Sequence, residues 1–214
     1  MKKQTFLLIL IAGAILSACN MKPQSAYYSH DLQMETLKGK INRVDYNFYK
    51  DRDCYKRYYK ETPYSLVYDD KGNLVSDSRY MSFEDVERDE NGFFIHVNTG
   101  NVVSAEHHTE WDMIELSYSY DEQGFMTRSF KAGMGDDCGE RIYFYEDSLP
   151  SKIVLGENGG TINYDILEID DHDNWTLARV NALINHYDMD GEFLSRTKEH
   201  YYVQRIIMYS QESK

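Results

Sequence analysis

The segment VYDDKGNLV, residues 67–75, carries the pattern that decides the fold, and SYDEQGFMT (119–127) and HYDMDGEFL (186–194) repeat it. Each copy reads Tyr-Asp-x-x-Gly-x-apolar. Aspartate favours the first position of a type I turn because its carboxylate accepts a backbone N–H two residues on, and glycine favours the fourth position, where φ is positive. A type I turn followed by a left-handed residue closes a β-hairpin with a G1 bulge. The three copies therefore predict three hairpin tips.

Weaker turn patterns fill the gaps between these copies. DENGFF (89–94) and GENGGT (156–161) carry Asn-Gly, a strong signal for a two-residue hairpin loop. FYEDSLPSKIV (144–154) places a turn between two apolar runs. IDDHDNWTL (169–177) puts Asn174 where glycine would stand, and asparagine also tolerates positive φ. Turns therefore recur along most of the chain, about two short strands apart.

Between the turns, residues alternate at period two, as in YSLVY (64–68) and ELSYSYD (115–121), which is typical of half-buried strands. Nineteen tyrosines and only three prolines suit antiparallel sheets with one wet face. One short helical turn is expected at 82–89, capped by Ser82. The predicted fold class is all-β: an antiparallel meander of β-hairpins forming a twisted, repeat-like sheet. We assign it to a single domain at 37–209, with a C-terminal tail at 210–214.

The first 18 residues have the features of a removable address. Lys2 and Lys3 precede an apolar run from Phe6 to Leu16, which is shorter than the ~20 apolar residues that span a bilayer. LSAC (16–19) resembles the bacterial lipobox, which implies cleavage before Cys19 and attachment of lipid, including palmitate, to Cys19. The alternative is an ordinary signal peptide with Cys19 a free thiol.

Residues after the lipobox predict the location of the protein. Residues 19–36 are polar, contain Pro23 and show no apolar period, so we interpret them as a flexible tether. Asn20 and Met21 follow Cys19, so the resemblance implies no retention in the inner membrane. The expected location is the cell envelope, lipid-anchored to the outer membrane and facing the periplasm.

The formal net charge of −13 excludes some partners. An acidic chain repels phosphate backbones, so no nucleic acid partner is expected. The membrane, contacted through the N-terminal lipid, and an envelope protein or glycan remain as expected partners.

Two cysteines remain after Cys19, and export would place them where disulfides persist. A bridge between Cys54 and Cys138 would stabilise the fold by roughly 4 to 5 kcal/mol in the chain-entropy model. The alternative is two separate, partly buried thiols.

No stretch of the sequence predicts a catalytic or metal site. His107 and His108 are adjacent, so they would face opposite ways on a strand. Only His108 and Glu110 could then share a face, whereas zinc needs three or four ligands. The acids of DDHDNW (170–175) and DMDGE (188–192) break the calcium-loop spacing and fit hairpin turns instead. We therefore predict no catalytic residue, no metal and no cofactor.

The tyrosines suggest a binding surface. Trp175, Tyr201 and Tyr202 are the candidate residues for a carbohydrate-stacking face. The alternative is that alternate tyrosines fill the packed face of a thin sheet and leave their hydroxyl groups wet.

The Tyr-Asp-x-x-Gly units resemble YD repeats, the hairpin units of RHS-type proteins. Together with the lipobox, and with DDHDNWTLARV (170–180) and a closing YYVQRIIMYS (201–210), the chain is similar to small lipoproteins of Gram-negative bacteria. The resemblance implies side-by-side hairpins and supplies no catalytic residue. We expect a lipid-anchored, non-catalytic module that presents an acidic, tyrosine-rich sheet surface to a protein or glycan, or that is purely structural. The alternative is an envelope hydrolase that acts on glycans through paired carboxylates.

Overall fold

The computed structural model describes residues 27–101, 113–132, 139–156, 159–188 and 190–210. These residues form one short helix, α1 (His30–Met34), and twelve strands. The strands are β1 (Ile41–Tyr49), β2 (Tyr64–Tyr68), β3 (Leu74–Asp77), β4 (Tyr80–Arg88), β5 (Phe94–Asn101), β6 (Met113–Tyr120), β7 (Met126–Ala132), β8 (Gly139–Glu146), β9 (Leu149–Leu155), β10 (Gly160–Ile169), β11 (Trp175–Tyr187) and β12 (Phe193–Tyr209).

All twelve strands belong to one antiparallel sheet, in the order β3-β2-β1-β12-β11-β10-β9-β8-β7-β6-β5-β4. The prediction of an all-β hairpin meander is therefore confirmed. The first strand pairs with the last, from Ile41 opposite Tyr209 to Tyr49 opposite Tyr202. This pairing leaves β3 and β4, which follow each other in the chain, as the two edges of the sheet. No ladder joins these edges among the described residues, so the sheet stays open.

Five turns share the geometry that the Tyr-Asp-x-x-Gly pattern predicts. In each one, Oδ1 of the leading aspartate accepts the backbone N–H groups two and four residues on, at 2.8–3.0 Å. The residue three positions on has φ between 61° and 90°. The leading residues are Asp69, Asp89, Asp121, Asp170 and Asp188. The three predicted tips are confirmed, and two weaker patterns adopt the same turn.

Two of the weaker turn predictions need correction. Asn91-Gly92 is not a two-residue loop, because Asp89 caps the same four-residue turn and Gly92 takes its fourth position. At 170–173 the residue with positive φ is Asp173, at 61°, and not Asn174. Asn174 is fully buried one position later, where it can reach Lys38.

The expected helical turn at 82–89 is wrong. Residues 82–88 lie within β4, and Phe83 stands opposite Thr99 of β5. Pairing with β5, interrupted by register shifts after Glu84, satisfies backbone groups on one side of this edge strand over its length, which one capped helical turn cannot do. At 144–154 the predicted turn is present as a two-residue loop, with φ of 50° at Asp147 and 66° at Ser148. Residues 157 and 158 of the GENGGT turn lie outside the described residues.

The strand directions place the turns at two ends of the sheet. Because the strands alternate in direction, the tips at 69–72, 89–92, 121–124 and 170–173 lie at the end where β1 starts, next to α1; we call this the α1 end. The tip at 188–191 lies at the opposite end.

The tether prediction is wrong for the part of 19–36 that forms α1. Ser29 caps the helix by accepting the Leu32 N–H at 3.1 Å, and Leu32 and Leu37 are fully buried. These side chains enter the main core cluster together with residues of β1, β2, β11 and β12. The lack of apolar periodicity that suggested a tether reflects a helix of only five residues. Residues 1–26 and 211–214 lie outside the described residues, and with them the predicted signal peptide and Cys19.

Candidate functional site

Residues 27–38, here called the N-terminal segment, contact the hairpin tips at the α1 end. The Ser29 hydroxyl donates to the Gly72 carbonyl at 2.7 Å. The Gln33 side-chain amide donates to the Gln123 carbonyl at 2.6 Å. Each of these contacts joins residues that are far apart in the chain, so the segment holds hairpins of the sheet together.

Two further tips are held by stacking and by a side-chain amide. The His30 ring stacks on Phe93, with centroids 4.1 Å apart. The Asn174 amide accepts from the Lys38 N–H at 2.6 Å and donates to the Lys38 carbonyl at 2.9 Å. The N-terminal segment therefore lies along the α1 end and touches the four aspartate-capped tips there.

A buried ion pair fixes the middle of the N-terminal segment. Asp31, whose side chain is 2% exposed, accepts two hydrogen bonds from the Arg88 guanidinium at 2.7 and 2.8 Å. It also accepts the Leu74 N–H at 2.7 Å. Because Arg88 and Leu74 lie on the two strands β4 and β3 at opposite edges of the sheet, Asp31 ties the two edges together.

Strands from both halves of the sheet line a common interior space. Two adjoining cavities, of about 110 and 190 Å³, share lining residues from α1, β7 and β8, which shows that the sheet curves around them. We call this space the interior. Aromatic rings dominate its wall, and those lining the larger cavity are Tyr46, Phe48, Tyr64, Tyr143, Tyr145, Tyr164, Trp175 and Tyr201.

Four of the interior tyrosines have raised pKa values. Burial raises the pKa of Tyr64, Tyr145, Tyr164 and Tyr201 far above the ordinary value for tyrosine. Nearby acids and neighbouring tyrosines add to this increase. These side chains therefore act as aromatic surface and as hydroxyl donors or acceptors, and not as bases.

The interior wall also carries charged side chains that the sequence analysis did not single out. Arg79 forms a bidentate ion pair with the buried Asp77, and its guanidinium stacks over the Tyr64 ring at 4.1 Å. This pair sits between the edges β3 and β4. Arg79 is thus neutralised and fixed in place.

A second charged group lies under α1. Arg205 is 2% exposed, stacks over the Trp175 ring at 4.2 Å and donates to the Glu35 carbonyl at 3.0 Å. The Glu35 carboxylate accepts the Tyr46 hydroxyl at 2.9 Å. The cation–π contact and these hydrogen bonds offset the cost of burying charge here.

Arg141 differs from these groups. It lines both cavities, yet it has no hydrogen bond or ion pair to any residue that the structure describes. Its neighbour on the same face of β8, Tyr143, is held by Ser129 at 2.8 Å. Of the two arginines that line the cavities, Arg141 is therefore the one whose side-chain donors have no partner among the described residues; Arg205, whose Nε and Nη1 also lack one, lines neither cavity.

Sequence signals for these cations exist. Arg205 alternates with Tyr201 and Val203 on the buried face of β12, and Arg141 alternates with Tyr143 and Tyr145 on β8. An arginine in register with apolar residues of an alternating strand is the pattern that could have identified both.

The three aromatic candidates from the sequence do not share a face. Trp175 and Tyr201 are buried and both line the larger cavity. Tyr202 lies on the other face of β12, edge to face with His200 at 5.4 Å. The tyrosine-lined wall also differs from the predicted acidic surface, since the larger cavity is lined by two arginines and one carboxylate.

The remaining predicted positions are placed as follows. Cys54 is half-buried, and burial together with Asp51 raises the pKa of its thiol. Cys138, His107 and His108 lie outside the described residues, so the Cys54–Cys138 bridge stays a prediction. Within the described residues, no group of three His, Cys, Asp or Glu side chains is arranged to hold a metal ion.

Comparison with known proteins adds little. No family model matches the chain, and a search of the curated proteins finds no match. Among solved structures, a porin-like protein from Bacteroides uniformis ATCC 8492 is similar, with 10% identity and a TM-score of 0.35 over 78% of this chain and 97% of that one. A likeness at this level supports no functional argument. Among the described residues, no helix has the length and apolar character to cross a membrane.

Proposed function

We propose that this chain is a lipid-anchored, non-catalytic binding protein of the cell envelope, and that its ligand surface is the tyrosine-lined interior. The observation that carries the proposal is the aromatic wall itself. Strands from across the sheet place tyrosines and Trp175 around one space, and these side chains leave the space unfilled. Concave spaces with an aromatic lining and a few polar groups are the usual form of small-molecule sites.

The carboxylates of the interior favour binding over hydrolysis. A glycan hydrolase needs two carboxyl groups about 5 to 9 Å apart that act as acid and base or nucleophile. Those that line the cavities are Asp77, held in a bidentate ion pair by Arg79, and Glu35, bound by Tyr46. Each is committed to a neighbour within the fold, so neither is arranged as one half of a catalytic pair.

The proposed anchor fixes how the interior would face the membrane. Tyr27, where the N-terminal segment begins, lies eight positions after Cys19. A fully extended chain of that length spans at most about 28 Å. A lipid on Cys19 would therefore keep the α1 end close to the membrane surface and turn the opposite end of the sheet towards the periplasm.

The anchor is tested by changing the cysteine. In Cys19→Ala we expect palmitate labelling to disappear and the protein to move to the soluble fraction. A variant that stays bound to the membrane contradicts the anchor.

The interior is tested with a matched pair on β12. Tyr201 faces the interior and its neighbour Tyr202 faces away. The purified full-length protein is screened by thermal shift against single-ring compounds, both sugars and aromatics, neutral and acidic. A ligand at 100 times its Kd adds about 2.7 kcal/mol of stability, or roughly 5 to 10 °C for a chain of this size.

We expect Tyr201→Leu to abolish the ligand-induced shift and Tyr202→Leu to retain it. Circular dichroism and the unliganded Tm confirm that both variants are folded. If no compound binds, or if both variants bind as the parent does, the interior is not the ligand surface.

A further inference from the structure

We propose that the interior binds a molecule the size of one six-membered ring that carries a carboxylate, and that Arg141 binds this carboxylate. The inference rests on the proposed function and adds to it the chemical class of the ligand. It depends on three features of the larger cavity: its size, its charges and its unpaired polar groups.

The size of the larger cavity matches a single ring. Its volume is about 190 Å³. A buried apolar cavity of about 150 Å³ in another protein holds one benzene molecule. The rings of Tyr143, Tyr164 and Tyr201 line the cavity and offer faces and edges against which a flat or chair-shaped ring can pack.

Of the two arginines that line the cavities, one has no ion pair with a described residue. Arg79 is neutralised by Asp77. Arg205 stacks on Trp175 and donates to the Glu35 carbonyl, and its Nε and Nη1 have no hydrogen-bond partner among the described residues, but it lines neither cavity. Arg141 lines both cavities and has no ion pair with a described residue. Within the cavities, this guanidinium is therefore the group available to an anionic ligand. Its fork of N–H donors matches the two oxygens of a carboxylate.

Unpaired buried atoms in the same wall point the same way. The Thr36 hydroxyl and the Trp175 indole nitrogen are buried and have no hydrogen-bond partner among the described residues. Both residues line the larger cavity. Buried polar groups in native proteins nearly always have a partner in the protein or in ordered water, so these two atoms mark places where water or a bound ligand would complete the structure.

Two kinds of molecule share this chemistry: aromatic acids and uronic acid sugars. Isothermal titration of the full-length protein with benzoate and with glucuronate separates them. Benzyl alcohol and glucose are the neutral counterparts of the same ring size. The acid that binds shows whether the ligand is an aromatic acid or a uronic acid sugar. The affinity of its neutral counterpart shows how much of the binding depends on the carboxylate.

The variant Arg141→Gln removes the charge but keeps a polar side chain of similar length. Arg128→Gln is the matched control, because Arg128 lies on the adjacent strand β7, is 59% exposed and pairs with Glu140 away from the cavities. Loss of a charge-assisted hydrogen bond weakens binding by about tenfold or more. We expect that loss for the acid in Arg141→Gln and an unchanged Kd in Arg128→Gln.

The possible results separate this inference from the proposed function. If the neutral compounds bind as tightly as the acids, or Arg141→Gln binds the acid as the parent does, the carboxylate assignment is overturned and interior binding stands. If none of the four compounds binds, the carboxylate assignment is also overturned, and the thermal-shift screen decides separately whether the interior binds a ligand. Should Arg141→Gln not fold, Arg141→Lys keeps the charge without the fork; weaker binding of the acid supports the inference, and unchanged binding overturns it.

Discussion

Replacing Asp31 with alanine is the strongest test of how the N-terminal segment joins the sheet. The substitution removes three hydrogen bonds of 2.7–2.8 Å, two from Arg88 and one from the Leu74 N–H. Breaking a buried ion pair by removing one partner costs about 3 to 5 kcal/mol. The Arg88 side chain is 31% exposed, so water recovers part of its solvation. We therefore expect a loss of about 3 kcal/mol, at the low end of that range.

Urea unfolding followed by circular dichroism measures this loss. With a slope near 2 kcal/mol per molar urea, a change of about 3 kcal/mol lowers the midpoint by about 1.5 M. Asp31→Asn keeps an acceptor for the Leu74 N–H without the charge, so its midpoint is expected between those of Asp31→Ala and the parent. The control is Asp165→Ala, which breaks an exposed pair with Arg179, the two side chains being 50% and 44% exposed.

Exposed pairs contribute less than about 1 kcal/mol, so the control midpoint should move by less than about 0.5 M. Equal midpoints for Asp31→Ala and Asp165→Ala would refute the reasoning. They would mean that residues 27–38 are not held in the sheet as the structure shows.

Two further predictions concern the tips. Gly124→Ala should destabilise the protein more than Gly191→Ala, by about 1 to 3 kcal/mol. Both glycines have positive φ, but a Cβ at Gly124 would lie 2.6 Å from a ring carbon of Phe93, while nothing lies within 4 Å at Gly191. Equal midpoints in urea would show that the tip at 121–124 is not covered. Hydrogen bonds from Tyr209 and from two backbone N–H groups outweigh the effect of burial and lower the pKa of Asp170. Its contribution to stability is therefore present above the unfolded pKa of about 3.9 and is lost as the pH falls through the lower folded value. Asp170→Asn should flatten the decline of the urea midpoint below pH 4, and an unchanged decline would contradict this.

The turns could be predicted because their chemistry is local. The carboxylate of Asp69 bonds to N–H groups within four residues, so the sequence pattern contains the whole turn. The same holds for Asp121 and Asp188. The position after the turn is different. Asparagine is a residue type that suits positive φ, but the contact of Asn174 with Lys38, 136 residues away, decides the position that Asn174 takes in the turn.

The N-terminal segment could not be predicted for the same reason. Its helix has five residues and is held by contacts such as Asp31 to Arg88, 57 positions apart. Taken alone, the local sequence of a short polar stretch predicts only a tether. The curvature of the sheet, and therefore the interior, depends on the pairing of β1 with β12 and on the twist of all the strands together.

Alternation predicted which residues share a strand face, but not which face is concave. Tyr201 and Tyr202 looked equivalent in the sequence, and only the fold separates them. Arg141 went unnoticed because its importance comes from lacking a partner among the residues that the structure describes, which the sequence does not show.

The most direct test of binding in the interior is heteronuclear NMR of the Trp175 indole N–H, a buried group with no hydrogen-bond partner among the described residues, on a residue of the cavity wall. The chain has two tryptophans, so Trp111→Phe assigns the resonance. On titration with the acid that binds, we expect the Trp175 cross-peak to shift in a saturable way, and to stay fixed in Arg141→Gln at the same concentrations. A Trp175 cross-peak that stays in place while calorimetry shows the acid bound would contradict the account.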